Sequence, residues 1–467
     1  MDFQAVIDSL PRYAEPLMVT IGVTLGSAAL ALVVAFALGL MTSSRHLLVR
    51  TPARAFVEFF RGSSVVVQLF WFAFAMPALL GIQFDYLILA GIVALGLNYG
   101  AYSSEVVRGA IAAVPKSQLE ASTALNFTSF QRMRLVILPQ AWPEMIPSLS
   151  SFAIMLLKAS ALVSIIGVTD ITTLAGLIGG QPGQDRLVHY GFVLIIYFIL
   201  AWLMWTGMRA LERKAKQGIG VNVKPDRRRA AGTGRGHERR DDLMMREGWS
   251  NEIVREIFPA VWQGFLVVLQ VTLVAGLIAV LLGLLVSILE QTTPAWFRRG
   301  LSGVFQFIRN TPLLVQVLLV WTATSLYINP DWSAFAVGST VLGVHYASYT
   351  SESFRAGIEA IPKGQWEAAT ALSLPVHRTW GAVILPQMLR RSTAAVANWI
   401  IAMFKEVPTL FIIGVLEMIS QVEKFQGQHY AGAVEGYTIA GFLFLVASYP
   451  VAVAMRRLEI RLAKSNY

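Results

Sequence analysis

The sequence predicts an all-α membrane protein made of two repeated bundles of about five transmembrane helices, each with a cytoplasmic coupling-helix loop. Three observations carry this. Of 467 residues, 55% are hydrophobic and only 14% charged, with a mean hydropathy of +0.58, beyond ordinary soluble chains. Apolar runs long enough to cross a bilayer recur along the chain. A polar stretch at 115–140, PKSQLEASTALNFTSFQRMRLVILPQ, returns at 362–387 as PKGQWEAATALSLPVHRTWGAVILPQ. From Ser104 to Gln140 against Ser351 to Gln387, 18 of 37 positions are identical without a gap, which marks two halves carrying one device.

In the first unit, 1–216, Leu17 to Met41 is an apolar run of spanning length followed at once by Arg45, His46, Arg50 and Arg54, which puts that end in the cytoplasm. Met1 to Pro16 lacks the basic start of a cleavable signal peptide. Phe56 to Leu80 reads as the return span, Leu87 to Ser104 as the way back in, Met145 to Val168 and Val188 to Met208 as the last two. The loop at 115–140 then lies inside, flanked by Arg108, Lys116, Arg132 and Arg134. The second unit, 249–467, repeats this with Phe258 to Leu289, Leu313 to Ile328, Ser333 to Ser348, Ala394 to Val415 and Tyr437 to Met455. Its basic residues again follow the first span and fill the loop.

Each repeated loop reads as two short helices. Pro115 or Pro362 suits a first helical position, and Asn126 or Ser373 interrupts the helix ten or so residues on. Thr128, with Gln131 three residues later, is a capping box for the second helix, and Pro375 stands near the start of its counterpart; both loops end at Leu-Pro. Glu120 with Ala121, and Glu367 with Ala368, leave a helix surface that another protein can approach closely, with one carboxylate to fix register. The bland reading is a solvated connector, but its recurrence at matching places favours a docking surface.

Here the residues resemble a family. Glu-Ala-Ala, a turn residue and then Ile-x-Leu-Pro is similar to the cytoplasmic coupling loop of ABC-importer permeases. Tyr102-x-x-Glu105-x-x-Arg108 with Tyr349-x-x-Glu352-x-x-Arg355, Phe60-Arg61-Gly62-Ser63 with Gln68, Ile308-Arg309-Asn310-Thr311-Pro312 with Gln316, and Lys158 to Gly167 with Lys405 and Ile412-Ile413-Gly414 narrow it to permeases for polar amino acids of the histidine/glutamine/arginine type. Nearly all of the chain outside 217–248 is covered. The resemblance implies that Glu120, Ala121, Asn126, Glu367, Ala368 and Ser373 couple to a dimer of separate ABC ATPase subunits. It also implies an extracytoplasmic solute-binding protein that delivers a polar amino acid or a related small solute, and residence in a bacterial inner membrane. The chain departs from the family where Asn126 and Ser373 replace the loop glycine, and where Ala159 in the first half answers Glu406 in the second.

Lys158 and Lys405 fall within spans, where charge is expensive, so they face a bundle interior or an aqueous path. They either contact solute or pair for structure. With Glu406, Arg61 and Arg309 they are the candidates for a substrate path, although Arg61 and Arg309 sit where a gate pair or snorkelling explains them equally well. Glu105 with Arg108, and Glu352 with Arg355, are one turn apart and simply pair. Nothing in the chain reads as a catalytic constellation. There is no Gly-x4-Gly-Lys-Ser/Thr, so ATP is expected on partner chains and no cofactor on this one. The six histidines lack metal-ligand spacing, and cysteine is absent. The alternative is a parallel-repeat secondary transporter driven by an ion gradient, which would explain the duplication but not a repeated docking loop.

The net charge of +10 is concentrated in one place: Glu212 to Arg246 holds eleven Lys/Arg against five Asp/Glu. With its Gly content, 217–248 reads as a basic flexible linker facing an anionic cytoplasmic leaflet rather than a nucleic-acid site. Five spans leave the first unit's end inside, yet a second unit of the same orientation must begin outside. The expectations are that both coupling loops are cytoplasmic and that the linker is irregularly routed, or the chain cut within it.

Overall fold

A computed structural model of the chain describes residues 7–81, 87–217, 249–429 and 431–464; most of the basic linker lies outside them. Every regular element among the described residues is helical. The first half contributes α1 (Ala14–Thr42), α2 (Leu47–Gly62), α3 (Val65–Leu80), α4 (Leu87–Ala113), α5 (Lys116–Ala124), α6 (Ser129–Ile166), α7 (Ile171–Ile178) and α8 (Arg186–Gln217). The second half repeats these as α9 (Asn251–Thr292), α10 (Ala295–Asn310), α11 (Leu313–Ile328), α12 (Ala334–Glu359), α13 (Lys363–Ala371), α14 (Val376–Ile413), α15 (Met418–His429) and α16 (Ala433–Lys464). Seven of these helices are long and apolar enough to cross a membrane, nine if each bent pair α2/α3 and α10/α11 counts as one span. α12 falls below that apolar threshold. Its polar side chains Ser339, His345, Ser348, Thr350 and Ser351 are buried against protein rather than offered to lipid, and it stands where α4 stands in the first half.

The stretch 56–80 is not the single span that its composition suggests. α2 meets α3 at 105°, and α10 meets α11 at 108°. α2 carries Arg50, Arg54 and Glu58 together with exposed Leu47, Leu48, Phe56 and Phe59, while Ala53 and Val57 bury against Leu38 of α1. Such a helix lies along the interface, and only Val65–Leu80 proceeds outward. Extended backbone at Ser63 and Ser64, and at Thr311 and Pro312, makes the corner.

Two cores organise each half. The large one runs through the spans of both halves, joining Val66, Leu69 and Phe70 to Phe404, Leu410, Tyr437 and Phe444, and Leu194 and Tyr197 to Leu313, Leu314 and Val317. The last helix of each half packs on the outward helix of the other, α8 on α11 and α16 on α3, so the halves embrace about a pseudo-twofold axis. Beneath it each coupling loop has its own small core: Val107, Val114, Ile137, Ala141 and Met145 in one, Phe354, Ile358, Ile361, Ile384 and Met388 in the other.

Candidate coupling surface and transport path

The two loops are built alike. Lys116 and Lys363 open α5 and α13, with Pro115 and Pro362 as the preceding N-cap residues rather than first helical positions. Both helices end in a left-handed residue, Asn126 at φ 57° and Ser373 at φ 52°, the two non-glycine residues with positive φ among those described. Phe127 N–H reaches back to Ser122 O at 3.1 Å and Asn126 N–H to Thr123 O at 2.9 Å; Leu374 to Ala369 and Ser373 to Thr370 repeat the pattern at 3.0 and 2.9 Å. This six-to-one, five-to-two pairing is the Schellman stop, for which glycine is the usual residue. Thr128 then caps the next helix with Gln131 returning the bond, and Pro375 is the N-cap of its counterpart. That helix does not end at Leu-Pro. It passes through a π-helical stretch, Arg132–Ile137 or Thr379–Ile384, and runs on into the span, because the widened turn accommodates Pro139 or Pro386 without a break.

Glu120, Ala121 and Asn126, and likewise Glu367, Ala368 and Ser373, are exposed. Beside them stand Leu125 and Phe130 at 68% and 70% exposure, and Leu372 and Val376 at 73% and 72%. Large apolar side chains this open on a polar face are candidates for a contact surface. Sequence reasoning missed these four; the available signal was a hydrophobic residue flanking the turn on both sides in both copies. A cleft of about 400 Å³ borders the first loop, lined by Arg45, Leu119, Glu120, Thr123, Ala124 and Arg132.

The path candidates converge on the seam between halves. The corner between α2 and α3 leaves late carbonyls of α2 without helical donors, and side chains take them up. Phe60 O accepts from Gln68 Nε2 at 2.9 Å and from Asn98 Nδ2 at 3.0 Å, and Gly62 O accepts from Ser448 Oγ at 2.7 Å. Arg61 O accepts from Lys405 Nζ at 2.8 Å, and Lys405 also donates to Tyr102 Oη at 2.7 Å. The mirror arrangement has Ile308 O accepting from Gln316 Nε2 at 2.7 Å. Arg309 O and Tyr349 Oη accept from Lys158 Nζ, both at 2.8 Å. Each lysine therefore reaches across to the other half. Lys158 and Arg309 lie over the face of Tyr349, and Lys405 and Arg61 over Tyr102, with cations 5.4 to 5.9 Å from the ring centroids. Arg309 pairs with Glu352 at 2.9 Å, Glu352 also with Arg355, and Arg108 with Glu105.

Glu406 sits in the middle of this seam. It follows Lys405 in the chain, and Tyr346, Lys158, Lys405 and Tyr99 are its electrostatic neighbours. Ala159 occupies the corresponding place in the other half, so the carboxylate that follows the seam lysine is present in one half alone.

At the outer ends, Asp170 caps α7, accepting from Thr173 N–H at 2.9 Å, and Glu417 caps α15, accepting from Ile419 and Ser420 N–H at 3.0 Å each. Both are wholly buried, and burial pushes Asp170 up to about 6 and Glu417 up to about 8 despite those bonds.

The family model for the inner membrane component of binding-protein-dependent transport systems matches residues 10–217 and again 279–464. The chain belongs to that family. This permease carries two units in tandem, and single-unit relatives cover one half each. A probable amino-acid ABC transporter permease protein of Sinorhizobium fredii, y4tF, is 43% identical over 45% of this chain and 89% of the relative. The arginine transport system permease protein ArtQ of Bacillus subtilis is 34% identical over 46% of this chain and 98% of the relative. Among solved structures, an amino acid ABC transporter crystallised with histidines is 28% identical, covering 46% of this chain and 99% of that one with a TM-score of 0.42. The permease is thus a multi-pass inner-membrane transport component, and a gradient-driven secondary transporter is not favoured.

Proposed function

We propose that this permease imports a polar amino acid or a closely related zwitterion, driven by ATP that is bound and hydrolysed on two separate ATPase subunits docked at α5 and α13. The observation that carries this reading is the pair of exposed coupling loops, alike in backbone and each bearing a small residue and a carboxylate between apolar knobs. An extracytoplasmic solute-binding protein delivers the solute to the outer mouth. The amino-acid class follows from the named relatives and from the seam, where Glu406 can receive an ammonium group and the lysines a carboxylate. Neither this chain nor its seam needs a cofactor or metal for that role.

The test is reconstitution of the permease with its cognate ATPase and binding protein, followed by ATP-dependent uptake from a panel of amino acids. Uptake of one polar class, stimulated by the binding protein and lost when Glu406→Gln is introduced, is the expected result. ATP-independent uptake driven by a proton or sodium gradient would refute the reading.

A further inference from the structure

We propose that Lys158 and Lys405 are a pair of latches that hold the two halves shut on their cytoplasmic side, each by capping the end of the other half's interfacial helix, and that both must release before the path opens inward. The inference rests on the transporter reading above.

The last carbonyls of a helix are its negative end and need donors from elsewhere. Where the chain turns through 105° and 108°, most of these carbonyls find donors: the Gln68, Asn98 and Gln316 amides within the same half, and Ser448 for Gly62. Arg61 O and Arg309 O are served by a lysine from the opposite half. Both corners follow basic interfacial helices, α2 with Arg50 and Arg54, α10 with Arg298 and Arg299, so they lie toward the cytoplasm. Ser64 Oγ adds a cross-half bond to Lys405 O at 2.5 Å. Two charge-assisted bonds per lysine, half-buried over an aromatic face, make these strong polar ties across the seam.

The geometry also lets the ties break without leaving a buried orphan. Tyr102 Oη donates to Arg61 O at 3.1 Å and Tyr349 Oη to Arg309 O at 3.4 Å, so each carbonyl keeps a donor from its own half when the lysine departs. The departing ammonium needs a new partner, and Glu406, next in the chain to Lys405 and an electrostatic neighbour of Lys158, is at hand. A tie with a retained donor on one side and a waiting acceptor on the other has two satisfied states, which is what a reversible closure requires. A lysine that only contacted solute would need no carbonyl of the opposite half.

The test uses the chain's lack of cysteine. Nitroxides on Ser117→Cys and Gly364→Cys, both exposed on the coupling loops, report the separation of the halves in the complete permease in nanodiscs. Lys158→Met, Lys405→Met and the double variant should shift the population toward the separated form by about tenfold per lysine, the weight of a charge-assisted bond. Basal ATP hydrolysis by the reconstituted importer should change in all three. Tyr102→Phe and Tyr349→Phe remove one lysine bond and also the donor each carbonyl keeps on opening, so they should shift the distances far less than the lysine variants and slow the exchange between the two forms; they keep the idea testable should the lysine variants fail to accumulate. Unchanged distances in the double variant, or a raised KM for solute with unchanged distances, would overturn the latches. The distance measurement needs neither solute nor ATP, so a failure to find amino-acid uptake would count against the functional reading alone.

Discussion

Replacing Glu417 by Gln should flatten the dependence of this permease's thermal stability on pH between 4.5 and 8. Glu417 is wholly buried at the start of α15, and α9 presses so closely on it that a Cβ on Gly264 would stand 2.7 Å from Met418 N. Burial raises its carboxyl from 4.5 to about 8, and the amides of Ile419 and Ser420 offset only part of that. The folded protein therefore holds a proton at pH values where the unfolded chain has released it. Its stabilising effect is fully present below pH 4.5 and is lost as pH rises through 8. At ~1.4 kcal/mol per unit, the climb from the unfolded value to pH 7 costs the wild type ~3 kcal/mol. Gln has the same shape, carries no charge and keeps an oxygen for one amide; the second bond is worth about 1 kcal/mol. The net gain at pH 7 is about 2 kcal/mol, several degrees in Tm for a unit of this size. Below pH 4.5 that gain is absent, and the variant should melt slightly below the wild type because of the one lost bond. Scanning fluorimetry of the two proteins from pH 4.5 to 8.5 reads the difference directly. Melting curves offset by a constant amount at every pH, or a variant that loses ground to the wild type as pH rises, would show that Glu417 does not carry the buried proton.

Trp at Ala121 or Ala368 should abolish ATP-driven uptake while leaving the membrane level of the permease unchanged, as read by transport in vesicles beside an immunoblot; undiminished uptake with both replaced would remove the coupling assignment. Ser373→Gly should relieve a left-handed strain of about 1 kcal/mol, less what glycine loses in chain entropy, and slow proteolysis of the second loop modestly; Asn126→Gly should do less, since Asn tolerates that region better. Cys at Ser117 and at Gly364 should react with an impermeant maleimide only in opened cells, and labelling of either in intact cells would deny a common cytoplasmic face for the loops.

The coupling loops were legible because their determinants are local. A proline, a run of helix formers, a turn residue and a capping box lie within 26 residues and occur twice, so even the left-handed turn at Asn126 and Ser373 could be anticipated from the glycine they replace. The corner at Ser63–Ser64 was not, because hydropathy averaged over Phe56–Leu80 conceals that Arg50, Arg54 and Glu58 share one face of a helix that ends before the span begins. α12 reads as a span, Ser333 to Ser348, from its place in the repeat, although its polar residues lower its hydropathy; contacts with other helices offset them, which no window along the chain can register. Lys158 and Lys405 were recognisable as costly charges, but their partners were not. Each bonds a backbone carbonyl of the other half, and a carbonyl has no sequence signature. Gln68 and Gln316 stood out only through the family resemblance; the structure gives them a job, holding the carbonyls of Phe60 and Ile308 at the two corners.

The outward helices α3 and α11 have sixteen residues each. At 1.5 Å of rise per residue they reach ~24 Å, against ~30 Å of hydrocarbon in an average bilayer. The shortfall falls at the corners, where α2 and α10 spread their apolar faces sideways at the inner boundary. Acyl chains meeting the protein there must shorten or tilt, so the membrane is pinched around this permease on its cytoplasmic leaflet. Lipids with shorter chains should gather at these corners, and a host membrane enriched in long-chain lipid should bear on the two bends before it bears on the long helices α1 and α9.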